Sequence, residues 1–471
     1  MVNLKRSGVY LRRAAAVLVA CAFMSSESAE YSAQAEQIEF VKEWEAASGL
    51  TGKINFTQYN QQLATYKGFM YVVVVDTALR PRIVKINEKT KAVQVKYLHP
   101  DPNYKVRDDG HSKFSLGIDN KGFIHVAGDM HHHPHANTDH IKIDALRKSR
   151  CLYWVSNNPE DITSFTFVGN DSSRVLPGYG FSYLQFIPDR NGVLFAVSRQ
   201  WERSGDGSWV AGKIGLGAAR YNSDTRKWQA LGGTTPLVSN FPKQKLIFWE
   251  DNGSGGTAYQ GLMVGFEVDN ANRIHLSATI NNDNSGLNYC DGKLNSTSSH
   301  TDVVYARSDD SGNTWKRASG ATISALPIRV STADALFKTR WLTGEASVSI
   351  LKGMPIVFYR KIYNVTTPSC QTQSNSLWSM YKGAWTVAVA PPISGRRLMA
   401  VVDRRNVMTI VNTENGYFYR LRDLAIPGVK VGTPAKMYYA DRTYLAATGE
   451  LRFFAQRGAN AAIYTVRVSG D

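Results

Sequence analysis

Residues 119 to 129 read DNKGFIHVAGD, a polar turn closed by glycine and followed at once by an alternating apolar run. Glycine relieves the backbone at the turn and the alternation that follows is that of a half-buried strand, so the segment reads as a hairpin corner feeding a strand. Working outward, the same order, a turn containing Gly or Asn and then an apolar strand, recurs in YKGFMYVVVVD from Tyr66, DRNGVLFAVSR from Asp189 and DNANRIHLSAT from Asp269. It recurs again in LKGMPIVFYR from Leu351, DRRNVMTIVN from Asp403 and ATGELRFFAQ from Ala447. Seven copies at uneven spacing predict an all-β repeat architecture whose units differ in loop length. Four-stranded blades of about 60 residues each, closed into a seven-bladed β-propeller, use the chain length and leave no long free sheet edge. A large sandwich or a β-helix is the competing arrangement.

SDDSGNTW, from Ser308 to Trp315, sharpens the choice, because it fits the Asp-box S-x-D-x-G-x-T-W. In such a turn the Asp caps backbone amides, Gly takes positive φ and Trp packs between blades. Its role is structural. The one stretch with helical character is AQAEQIEFVKEWEAA, from Ala33 to Ala47.

The chain carries 55 Lys plus Arg against 39 Asp plus Glu, a net charge of +16, with 43% hydrophobic residues and 4 Cys in 471 residues. That apolar share excludes a disordered chain, and so few cysteines exclude a disulfide framework. Residues 1 to 29 combine Lys5, Arg6, Arg12 and Arg13 with the short apolar run Ala14 to Met24, the pattern of a secretory signal. Leu18 to Cys21 also fits a lipobox, which would place a lipid anchor at Cys21. The expectation is therefore a secreted or cell-surface protein, with residues 30 to 471 forming a single propeller domain. For an exported basic protein an acidic polysaccharide is a better partner than nucleic acid.

Eight of the ten histidines lie between His99 and His140. His111 and His131 flank a predicted hairpin that can bring both to one end of a blade, and His125 within its strand reads as a core residue. The run containing His131, His132, His133, His135 and His140 can supply metal ligands, although a loop run without fixed spacing is often solvated. Cys290 and His300, with Cys370 and His275, suit a tetrahedral zinc; a Cys290 to Cys370 disulfide is the alternative. Cys151 reads as buried.

DGHSKFSLGIDNKGFIHVAGDMHHHP, YGFSYLQFIPDRNGVLFAVSRQWERSGDGSW and ARYNSDTRKW, in that order, resemble the BNR-repeat family that contains the ulvan lyases of marine bacteria. The resemblance covers roughly half the chain. It implies a propeller that cleaves ulvan, a sulfated polymer of rhamnose 3-sulfate and uronic acids, by β-elimination, without a redox cofactor and as a monomer. It places the active-site His, His, Tyr and Arg at His111, His131, Tyr183 and Arg199. It also matches Tyr259 to a tyrosine that binds sugar or assists the acid, and related lyases carry a structural zinc.

Elimination needs a cation on the carboxylate, a base for the adjacent proton and an acid for the departing oxygen. Arg199 suits the first, His111 the second and Tyr183 the third, although the last two can be exchanged. Lys113, Arg203 and Arg360 are candidates for sulfate or carboxylate contacts. Two other functions remain open: a sialidase-like glycoside hydrolase, suggested by the Asp-box, and a noncatalytic propeller that binds sulfated polysaccharide.

Overall fold

The computed structural model describes residues 37–47, 60–107, 113–131, 133, 141–203, 209–234, 245–250, 257–260, 265–281, 300–337, 346–366, 371–389, 398–412, 416–421 and 429–469. Two compact units divide the chain. The smaller comprises Met1–Glu39 and Val468–Asp471; in its described part the Ser469 hydroxyl donates to the Gln37 carbonyl at 3.4 Å. The larger, Phe40–Arg467, carries the propeller.

Seven antiparallel blades follow in chain order. Blade one is Leu63–Tyr66, Phe69–Val75, Pro81–Asn87 and Val93–Tyr97; blade two is Phe114–Ile118, Ile124–Gly128, Tyr153–Ser156 and Phe165–Phe167. Blade three is Ser182–Pro188, Leu194–Arg203, Trp209–Asn222 and Lys227–Ala230. Blade four is built on Phe266–Val268, Ile274–Asn281, His300–Ser308 and Trp315–Lys316. The short strand Thr257–Gln260 pairs with both neighbours and joins blades three and four into one sheet. Blade five is Ser347–Leu351, Met354–Thr366, Gln371–Tyr381 and Trp385–Val389; blade six is Leu398–Val402, Met408–Asn412, Tyr417–Leu421 and Val429–Gly432. Blade seven takes Lys436–Ala440, Leu451–Arg457 and Asn460–Ser469 from one end of the chain and Gln37–Glu45 from the other.

All seven turn-and-strand copies are the corner between the first and second strands of a blade, together with that second strand. Four corners share one device. The first carboxylate oxygen of Asp119, Asp189, Asp269 and Asp403 accepts from the amides two and four residues on, at 2.8 to 3.1 Å. Strand direction then gives each blade two ends. The hairpin end carries these corners and the Asp-box; the loop end carries the connections from second to third strand and from one blade to the next.

The Asp-box forms as expected. Asp310 accepts from the Thr314 amide at 2.8 Å and hydroxyl at 2.7 Å, Gly312 has φ +90°, and Trp315 is fully buried. Apolar clusters join blades one to three, three to four, four to five, five to six, and seven to one, so the core lies between blades. Burial on both faces explains the near-continuous apolar runs of strands such as Phe69–Val75.

The expected helix over Ala33 to Ala47 is corrected: Gln37–Glu45 is a strand. Part-buried Ile38 and Phe40 alternate with exposed Gln37 and Glu39, which also satisfies a strand, and pairing beside Asn460–Ser469 supplies backbone partners that overrule helix propensity. Phe40 meets Phe418 edge-on at 5.3 Å.

Candidate active site

The Arg199 and Tyr183 region lies at the loop end of blades two and three. Ser182 begins the first strand of blade three and faces Arg199 on the second. Between Ser182 and Gln185 the register slips by a residue, so the strand bulges at Tyr183 and Leu184. Tyr183 has φ +56° there. An aromatic residue in the left-handed region is strained, and a bulge re-aims the side chain it carries, so Tyr183 departs from the ladder pattern of its strand.

The bulge places the Tyr183 ring 4.5 Å from the Arg199 guanidinium carbon, while Arg199 Nε donates to the Ser182 hydroxyl at 2.8 Å. Arg199 is 2% exposed and Ser182 3% exposed. A fixed, weakly hydrated cation with its plane set by a ring and a hydroxyl suits recognition of a carboxylate. Two strands away, Lys113 immediately precedes the first strand of blade two and is buried. Its carbonyl accepts the amide of Asp129, a buried residue with φ +54°. A Cβ on Gly128 would stand 2.2 Å from that carbonyl, so only glycine permits the approach. His131, half-buried, follows three residues after the second strand of blade two ends.

The structure thus brings Lys113, His131, Tyr183 and Arg199 to the same end of adjacent blades. His111 lies outside the described residues, two positions before Lys113. Arg203 ends the second strand of blade three opposite Trp209. Tyr259 lies opposite Thr279 in the strand bridging blades three and four, and Arg360 lies opposite Ser376 in blade five. Ser182, which fixes Arg199, was not singled out by sequence reasoning; a hydroxyl beside an aromatic residue at a strand start carries no distinctive pattern.

His275 requires a correction. It lies opposite Arg307 at the hairpin end of blade four, whereas His300 lies opposite Asn281 at the loop end. Six residues of strand separate them, about 20 Å at 3.3 Å per residue, while zinc holds each ligand at about 2 Å. One ion cannot reach both. Both His275 nitrogens are also engaged, Nδ1 with the Tyr305 hydroxyl at 2.7 Å and Nε2 with Asp269 at 3.2 Å. His125 has the same arrangement in blade two, with Tyr153 at 2.6 Å and Asp119 at 3.5 Å. His275 is therefore a repeated blade-core histidine. Burial lowers the pKa of both imidazoles, against the opposing pull of their carboxylates.

Cys290 and Cys370 lie outside the described residues, as do residues 1 to 29, His132, His135 and His140. His133 is buried and bonded through Nε2 to the Ser149 carbonyl at 3.0 Å. Cys151 is buried, which raises its thiol pKa to about 12. Among the described residues no group of three metal-ligating side chains occurs, and no helix is long and apolar enough to cross a membrane.

A family model described as a BNR repeat-containing family member matches residues 60–390. An ulvan lyase of Nonlabens ulvanivorans is 29% identical over 155 residues, 31% of this chain and 30% of that protein. The match thus spans under a third of that relative's length. Among solved structures, polysaccharide lyase Uly1 superimposes with TM-score 0.59 at 15% identity, over 88% of this chain and 90% of that one. An ulvan lyase of family PL25, bound to a GlcA(1-4)Rha3S unit, gives 0.60 at 14% identity over 91% and 96%. At these identities the structural likeness concerns the fold.

Proposed function

The chain belongs to the BNR repeat-containing family, and from that premise we propose that it is a polysaccharide lyase cleaving ulvan by β-elimination at the uronic acid. The observation that carries the reading is the buried Arg199 guanidinium, fixed by Ser182 and the Tyr183 ring at a strained bulge. Likeness to the Nonlabens ulvanivorans enzyme supports the substrate class.

In the proposed reaction Arg199 holds the uronate carboxylate and stabilises the negative charge that grows as the C5 proton leaves. His111 takes that proton. The C5 electron pair forms the C4–C5 double bond as the C4–oxygen bond breaks, and Tyr183 donates a proton to the departing glycosidic oxygen. One chain end becomes an unsaturated uronate and the other a free hydroxyl, with no water consumed and no electrons exchanged. Lys113, Arg203, Arg360 and Tyr259 are proposed contacts for neighbouring sulfate and sugar groups. The strongly basic composition fits an exported enzyme acting on a sulfated polymer.

Incubation of purified protein with ulvan tests the reading. The expected result is rising ultraviolet absorbance from the new double bond, lost in His111→Ala and Tyr183→Phe. New reducing ends without absorbance would replace elimination by hydrolysis, and binding with unchanged viscosity would leave a noncatalytic propeller.

The four-residue zinc set does not fit the blade geometry, and no step depends on it. We propose that any structural zinc is confined to Cys290, His300 and Cys370, of which Cys290 and Cys370 lie outside the described residues. Metal analysis checks this: Cys290→Ala should lose zinc and His275→Ala should retain it.

A further inference from the structure

At the hairpin end, opposite the candidate active site, the corners of blades three to six surround a cavity of about 150 Å³. Arg190, Glu267, Asp269, Arg273 and Asn406 line it. Its carboxylates are already committed. Glu267 accepts from Nη1 of Arg442. Asp269 accepts from the amides of Ala271 and Arg273, the Arg273 side chain at 2.7 Å, and His275.

Arg190 is different. It follows the capping Asp189 of the blade-three corner, and its amide donates to Asn272 of blade four at 2.9 Å, which fixes the backbone beside the cavity. Its Nε is buried without a hydrogen-bond partner, and Asp269 and Asp189 act on the guanidinium through their charge without bonding to it. A buried guanidinium donor left unmet is costly, and it is met best by an oxygen that carries charge. Among the described residues each acid on the wall is bonded to another cation, Glu267 to Arg442 and Asp269 to Arg273, so neither carboxylate meets this donor directly.

We infer that this cavity is a second anion site, taking a sulfate group with Arg190 as its principal ligand. The volume admits a sulfate with space beside it, and Asn270, Ser349 and Asn406 on the wall are neutral and polar. The local electrostatics agree. Burial lowers the Arg190 pKa, and burial followed by the charge of Arg190 lowers that of Arg442 to about 9, so two guanidinium groups crowd one another here. An anion at Arg190 would relieve both. This site is separate from the proposed cleavage chemistry, and its occupant can be free inorganic sulfate or a sulfate ester on a sugar.

Calorimetric titration of the full chain with sodium sulfate, against sodium chloride at equal ionic strength, tests the inference. Saturable sulfate binding is expected in the wild type, weaker by about tenfold or more in Arg190→Gln. Asn406→Asp, which places a carboxylate on the same wall and leaves Arg190 intact, should weaken it likewise. Both variants should retain wild-type activity towards polysaccharide. Competition by a sulfated monosaccharide would assign the site to sugar, and its absence to the free ion. Absence of saturable sulfate binding in the wild type, or binding unchanged in both variants, would overturn the inference.

Discussion

Ser182→Ala isolates the device that aims the candidate catalytic cation. The hydroxyl accepts from Arg199 Nε at 2.8 Å, and both side chains are nearly withdrawn from water. A hydrogen bond to a charged group in such surroundings is worth about 1.5 to 3 kcal/mol. The substitution removes no charge and leaves the Tyr183 ring 4.5 Å away, so the guanidinium stays in the site but loses one of the contacts that set its plane. If that orientation is realised against the developing enolate, the loss falls on the transition state. At about 1.4 kcal/mol per tenfold, kcat should fall roughly 10- to 150-fold with little change in KM. Initial rates of ultraviolet absorbance on ulvan measure this, with thermal melting as a control for folding. Ser182→Thr, which keeps the hydroxyl, should recover most of the activity. A folded Ser182→Ala enzyme within twofold of wild type, alongside an inactive Arg199→Ala, would refute the positioning argument.

Two further outcomes follow from the blade cores. Burial holds the His125 and His275 pKa values below their unfolded value near 6.5; the contribution of the neutral rings is complete above that pH and is lost as pH falls through the folded values. Denaturant midpoints measured between pH 7.5 and 5 should therefore decline, with a shallower slope in His275→Gln. Trp315→Ala empties a fully buried Asp-box position and should cost about 3 to 5 kcal/mol of stability. Because Trp315 lies at the hairpin end, molecules that remain folded should cleave at the wild-type rate, as melting and rate assays on the same preparation would reveal.

The architecture was legible because its signal is local and repeated. Each corner needs a Gly or Asn at its positive-φ position, and the strand after it is apolar on both faces, so seven corners declare seven blades. The Asp-box was readable for the same reason. Gln37–Glu45 was not, because its strand state comes from a partner more than 400 residues away in sequence. His275 was misread by residue type: Asp269 to His275 has the spacing of Asp119 to His125, and that parallel marks it as a core histidine. Tyr183 and Arg199 were found through the order of motifs, whereas the bulge joining them, and Ser182 within it, depend on register and leave no compositional trace.

The two ends of the blades have separate liabilities, and this bears on how the protein can be re-engineered. Randomising the hairpin corners would chiefly yield misfolded clones, because the capping aspartates of four corners and the buried histidines of two each serve their own blade. The same mutational load in the loop-end connections would fall on the candidate site, over a ring held together elsewhere. A library for altered polysaccharide specificity therefore belongs in the connections around Lys113, His131 and Arg203, with the seven corners left untouched as the chassis.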